Sequence, residues 1–269
     1  RANLNLGADD ALITNVTADP ATGAKTAIVL VTPGAILTDW REQVGAILTT
    51  FLPGEEYGHA IASVLWGDGG GGPSGRLPLT FPSIEDEVNF TIAQWPGVHR
   101  AKPDTPCLSW HDTGGCTAEY SEGLLVGYRW YAAHPEVVPA YAFGHGLTYA
   151  SFAYSDLKVD AKAKTVSCTV TNNGTRGFAG RETAQLYLRF PASAGEPPKQ
   201  LKGWDKLPSL APGEAATATF NLDSRSFSVW DARGHAWQVV PGQFGVMVGA
   251  ASDDIRLRGT LGTAQWVSK

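Results

Sequence analysis

Thr165-Val166-Ser167-Cys168-Thr169-Val170-Thr171-Asn172-Asn173-Gly174 decides the fold of the second half of this chain. Val166, Cys168 and Val170 alternate with Ser and Thr, the period of two that sends one set of side chains into a core and the other into water. Asn172-Asn173-Gly174 then supplies a turn. Alternating segments of the same kind recur at residues 152–159, 182–190, 203–207, 215–222, 226–230, 236–239 and 243–248. Turn chemistry separates them, at Pro197-Pro198, Ala211-Pro212-Gly213-Glu214, Asp231-Ala232-Arg233-Gly234 and Pro241-Gly242. Short strands at this spacing predict an all-β, immunoglobulin-like sandwich over residues 151–269. Trp204, Trp230 and Trp237 stand among polar residues on these strands and are expected in its core.

Upstream the period changes. Residues 4–16 carry apolar side chains at 4, 6, 8, 12, 13 and 16, a helical face. Ala27-Ile28-Val29-Leu30-Val31 is a continuous apolar run that reads as a strand buried on both sides, and residues 46–51 form a second. Residues 55–66 place Tyr57, Ala60, Ile61, Val64 and Leu65 at helical spacing, and residues 76–81 read as a last extended piece. This alternation predicts part of an α/β layer over residues 1–82. Residues 83–150 lack a clear period and are rich in Pro, Gly, Trp and Tyr, so they are expected to form a long covering or linking segment. The glycine run ending at Gly72 has no Gly-Lys-[ST] after it and reads as a connector, not a phosphate loop.

Composition narrows the function classes. The chain has 269 residues, 43% hydrophobic and 17% charged, with a net charge of −5. Those values fit a globular protein with a sizeable core and argue against nucleic acid, which requires a clustered basic surface. No apolar run approaches the length needed to cross a bilayer. Cys107 and Cys116 lie close together in a loop, which predicts a disulfide between them and leaves Cys168 as a buried thiol. The alternative is a metal site including His111, but Cys-x3-His-x4-Cys supplies three irregularly spaced ligands, so no metal is expected. Asn15, Asn89 and Asn173 each begin an N-x-[ST] sequon, and with a loop disulfide they point to a secreted glycoprotein. Arg1-Ala2-Asn3-Leu4 is not a signal peptide, so the chain is expected to be a trimmed or downstream piece of something longer.

Several strings resemble the C-terminal half of family 3 glycoside hydrolases of β-glucosidase type. Leu52-Pro53-Gly54-Glu55-Glu56-Tyr57-Gly58-His59-Ala60-Ile61 and Pro73-Ser74-Gly75-Arg76-Leu77-Pro78 are two of them. Tyr120-Ser121-Glu122-Gly123-Leu124-Leu125-Val126-Gly127-Tyr128-Arg129-Trp130-Tyr131 and Phe143-Gly144-His145-Gly146-Leu147-Thr148-Tyr149 are the strongest. Thr169 to Gly174, Gln185-Leu186-Tyr187 and Lys199 to Gly203 fit the fibronectin type III-like domain that ends many members.

The resemblance implies a (β/α) barrel, an α/β sandwich domain and a fibronectin-like domain. It also implies retaining hydrolysis of β-glycosides by two carboxylates, with no cofactor. The nucleophilic aspartate would belong to the barrel, and the acid/base glutamate would lie just ahead of Arg1-Ala2-Asn3-Leu4. Catalysis would then need a companion chain or segment carrying the barrel. The substrate class is an oligo- or aryl-β-glucoside. β-Xyloside or α-L-arabinofuranoside specificity, or a non-catalytic carbohydrate-binding module, are the alternatives.

Within the chain no residue is a firm catalytic candidate. Glu56 is the tempting one, but Glu55 and Glu56 follow Pro53-Gly54 at a loop-to-helix entry, where the helix dipole favours acids without catalysis. Trp95 and Trp110 are candidates to border a sugar site. Glu122, Tyr128, Arg129 and His145 are expected to anchor the long segment instead of reacting.

Overall fold

The structure is a computed structural model, and it describes residues 3–66, 72–107 and 115–263. An α/β portion comes first and an all-β sandwich follows, the fold class expected from the sequence.

Helix α1 (Ala8–Val16) and the one-turn α2 (Pro20–Gly23) precede strand β1 (Ala27–Leu30). α1 begins at Ala8 and not at Leu4, because Gly7 adopts φ 65° and breaks the helical path. Asp10 then fixes this entry, accepting the Leu6 N–H at 2.7 Å and the Trp40 indole N–H at 3.0 Å. Strand β2 (Ala46–Thr49) lies parallel to β1, in register from Ala27 opposite Ala46 to Leu30 opposite Thr49. Ile13, Leu30, Ile36, Trp40 and Phe81 make the core here. β1 is not covered on both sides as its apolar run predicts: Leu30 is buried but Val31, just beyond it, is exposed. Helix α3 (Tyr57–Trp66) has no fully buried residue, and Trp66 at its end is 75% exposed.

After Phe81 the chain makes a long excursion and returns. The Phe81 and Tyr141 backbones exchange hydrogen bonds at 2.9 and 3.2 Å, and Leu77 exchanges them with Gly144 and His145 at 2.8 Å each. Both ends of the long segment are thereby held side by side. Part of it has structure that the sequence did not signal. Strands β3 (Val98–His99), β4 (Lys102–Pro106) and β5 (Cys116–Thr117) form a small antiparallel sheet with β3 in the middle. Helix α4 (Tyr128–Ala133) follows.

The sandwich opens with β6 (Phe152–Asp160) and continues through β7 (Thr165–Asn172), β8 (Thr183–Arg189), β9 (Gln200–Lys206) and β10 (Ala215–Asn221). A hairpin of β11 (Ser228–Asp231) and β12 (Ala236–Val239) is followed by β13 (Gln243–Gly249) and β14 (Ile255–Gly262). One sheet has the order β10-β7-β6 and the other β14-β13-β8-β9. Val166, Cys168 and Val170 of β7 alternate into the core, where they join Leu186, Leu188, Phe244 and Val246. Strand β14 was not among the segments read from the sequence, although its Ile255-Arg256-Leu257-Arg258 alternation carries the signal.

Trp204, Trp230 and Trp237 are not core residues. All three are exposed, and Phe190, Phe220, Phe227 and Phe244 fill the space expected of them. The strands that bear them lie at margins: β9 ends its sheet, and β11 and β12 pair with each other.

Cys107 and Cys116 are joined, while Cys168 is free and buried, its thiol pushed up to about 11 by burial. At pH 8 the folded, non-reduced protein is therefore expected to resist iodoacetamide. Unfolding without reductant should release one equivalent of thiol, and mass spectrometry should assign the label to Cys168.

Candidate functional site

The strings that looked chemical converge on the junction between the α/β portion and the sandwich. Arg76 reaches from the first to the second: its Nη2 lies 2.6 Å from Glu182 Oε1, with side-chain exposures of 13% and 3%. Its Nη1 donates to the Gly146 carbonyl. Glu182 Oε1 also accepts the Thr183 N–H at 3.0 Å. A carboxylate this buried requires such partners, because its desolvation is otherwise uncompensated.

The Phe143-Gly144-His145-Gly146 turn is seated on the outer face of β8. Gly144 has φ 84°, and a methyl group on it would run into the Gln185 amide; one on Gly146 would meet the Gly75 carbonyl. Gln185 is buried and donates to the Ala250 carbonyl at 2.5 Å and to the Gly144 carbonyl at 3.3 Å. It accepts from the Tyr187 hydroxyl at 2.5 Å. Tyr128 packs on Phe143 and Tyr187, with ring centroids 4.9 and 5.7 Å away, and its hydroxyl oxygen accepts the Leu201 N–H at 2.8 Å. Burial pushes the Tyr187 phenol up, so it stays protonated and serves as a donor. His145 is held below the ordinary histidine value, first by burial and further by Arg76, with Asp253 opposing. A neutral imidazole beside Tyr141 suits a packing role.

Around the excursion, Glu87 accepts the Tyr131 hydroxyl at 2.6 Å and the Ser83 N–H at 3.2 Å, tying α4 to the start of the segment. His134 stacks on Trp130 at 4.1 Å. Glu122 is half-buried, and its Oε2 finds no hydrogen-bond partner among the described residues.

The remaining candidates are scattered. Glu55 and Glu56 are exposed at the entry to α3, where the Glu56 carbonyl accepts the Ala60 N–H at 3.0 Å. Trp95 is exposed on the loop before β3. Trp110 and His111 lie outside the described residues. Among the described residues, one trio has metal-ligand spacing: His99, Cys107 and Cys116, with ligand atoms within 4.8 Å of one another. The two sulfurs are bonded to each other, which leaves no thiolate for a cation. Asn15, Asn89 and Asn173 are all exposed, on α1, on a loop and in the turn after β7.

Residues 1–149 match the glycosyl hydrolase family 3 C-terminal domain, and residues 182–252 match a fibronectin type III-like domain. The chain belongs to glycoside hydrolase family 3. A probable β-glucosidase D of Aspergillus flavus is 34% identical across 94% of the chain, which spans 33% of that relative. The thermostable β-glucosidase B of Acetivibrio thermocellus is 36% identical across 86% of the chain and 28% of its own length. The crystal structure of a β-D-glucoside glucohydrolase from Trichoderma reesei superposes over 97% of the chain and 36% of its own, with TM-score 0.80 and 34% identity. DesR, a β-glucosidase from Streptomyces venezuelae solved with D-glucose, gives TM-score 0.82 over 97% of the chain and 31% of its own. The chain thus spans about a third of the relatives it matches.

In this family 3 chain three of the recognisable strings, residues 73–78, 120–131 and 143–149, meet at the junction with the sandwich. Among the described residues, no helix is long and apolar enough to cross a membrane. The Arg76–Glu182 pair makes the junction testable. Arg76→Ala should destabilise the protein by about 3–5 kcal/mol, because it strands a buried carboxylate. Arg76→Met combined with Glu182→Leu should recover most of that loss, and urea unfolding midpoints measure both.

Proposed function

We propose that residues 1–269 form the C-terminal part of a retaining β-glucosidase that releases terminal β-D-glucosyl residues, with the barrel carried by a companion segment or chain. The alignment with β-glucosidases across almost the whole chain supports this most directly. The division is into an α/β portion (1–82), a covering segment (83–150) and a fibronectin-like domain (151–269). The protein is secreted and glycosylated at Asn15, Asn89 and Asn173, each of which is accessible in the folded chain.

The α/β portion carries apolar surface suited to contact with the barrel. Val31, Leu52, Leu65 and Trp66 are exposed there, and Tyr120, Val126 and Leu147 are exposed on or beside the covering segment. Apolar exposure on this scale marks an interaction surface. On this reading both catalytic carboxylates come from outside residues 1–269, and Glu56 is a helix-entry acid. Trp95, exposed on the loop before β3, borders the aglycone side of the cleft.

Hydrolysis of p-nitrophenyl β-D-glucoside is the decisive assay. The protein that contains the barrel should hydrolyse it and the 269-residue chain alone should not; activity from the isolated chain would overturn the assignment. Glu56→Gln in the active protein should cost less than about threefold in kcat/KM, whereas loss of a general acid/base costs about 10²–10⁴.

A further inference from the structure

The β11–β12 hairpin carries two tryptophans that remain largely exposed. Trp230 and Trp237 stand directly opposite each other on the two strands. They remain 52% and 46% exposed, whereas Val229 and Val239 of the same hairpin pack against the sandwich core. Their rings meet edge to face, with centroids 5.6 Å apart. The Arg225 guanidinium lies 4.4 Å from the Trp237 ring centroid. Arg225 belongs to the turn that sends Phe227 fully into the core, so the cation is held on a rigid base. Asp231 closes the hairpin by accepting the Arg233 N–H at 2.9 Å.

An exposed indole pair forgoes the hydrophobic stabilisation that burial of each ring would bring. Rigidly held on a hairpin, the pair is a preorganised contact site. Its size selects the occupant. Two half-exposed indoles offer about 200 Å², well short of the ~800 Å² per partner that a stable protein interface buries. A sugar chain needs far less. β-Linked glucose carries its hydroxyls equatorially and presents axial C–H groups on both ring faces, which stack on an indole. Arg225, which lies over the Trp237 ring, supplies guanidinium donors beside the pair for the hydroxyl rim.

We infer that Trp230 and Trp237 form a surface site for a chain of β-linked glucose residues. The sugar's identity rests on the β-glucosidase reading; the platform itself rests on the hairpin. The site would hold the protein on an insoluble or polymeric glucan.

The test uses the purified protein, with any active site blocked by saturating D-glucono-1,5-lactone. Phosphoric-acid-swollen cellulose in a pull-down and mixed-linkage β-glucan in affinity gels are the probes. The native protein should be retained, and Trp230→Ala with Trp237→Ala should weaken retention about tenfold, the order expected for losing aromatic stacking. p-Nitrophenyl β-D-glucoside hydrolysis without the lactone should be unchanged. Absence of retention in the native protein overturns the inference without requiring any variant to fold. Equal retention by the double variant also overturns it, as does an equal loss in Trp204→Ala, which removes an exposed indole on a different strand. Retention lost through the hairpin in a protein that hydrolyses no aryl glucoside would support the platform and count against the enzyme reading.

Discussion

A buried carboxylate at the start of β8 governs how the two halves of this chain meet. Glu182 sits where water cannot reach it, and Arg76 from the α/β portion supplies the compensating charge at 2.6 Å. The guanidinium has two further constraints, because it also donates to the Gly146 carbonyl and lies beside the backbone pairing of residues 77–81 with 141–145. Three chain segments far apart in sequence are thereby fixed to one another. Pairs of this kind do not favour folding strongly in net terms, but breaking one side is costly, so they specify geometry more than they add stability.

This explains why the most recognisable strings carry no visible chemistry. Gly144 and Gly146 are required by the closeness of Gln185 and of the Gly75 carbonyl. Tyr128 is required by a stack of rings and by the Leu201 N–H that it accepts. Gln185 must pair three ways inside a buried site, with Gly144, Ala250 and Tyr187. Each of these side chains has a precise steric or hydrogen-bonding task, and such tasks restrict sequence as strongly as catalysis does.

The sandwich was legible because its signal is local. Period-two alternation and turn residues set β6, β7, β8 and β10, and the same physics placed Cys168 inside. The tryptophans misled because alternation tells which residues share a face, not whether that face is covered. Trp204 pairs across to Gln185 on the outer face of the sheet, and Trp230 and Trp237 lie on a hairpin at its margin. Burial of β1 was overestimated for a related reason: a continuous apolar run reports surface that needs cover, which the described residues supply to Leu30 but not to Val31. The junction was illegible altogether, since nothing local links Arg76 to a residue 106 positions away. The strings could be recognised, but their purpose depended on contacts of long range.

The exposed apolar residues then fall into two kinds with different physical meaning. In the α/β portion, Leu65 and Trp66 come from α3, whose helical apolar spacing favours burial, and Val31 lies just beyond β1. Trp230 and Trp237 belong to a hairpin anchored on the core by Val229 and Val239, and its strands are paired in register. Cover over the α/β portion would not change this pair, because the sandwich has a core of its own that includes Phe190, Phe227 and Phe244. A pair of rings beside one guanidinium suits a ligand that makes few contacts and makes them repeatedly, as a polymer of identical rings does.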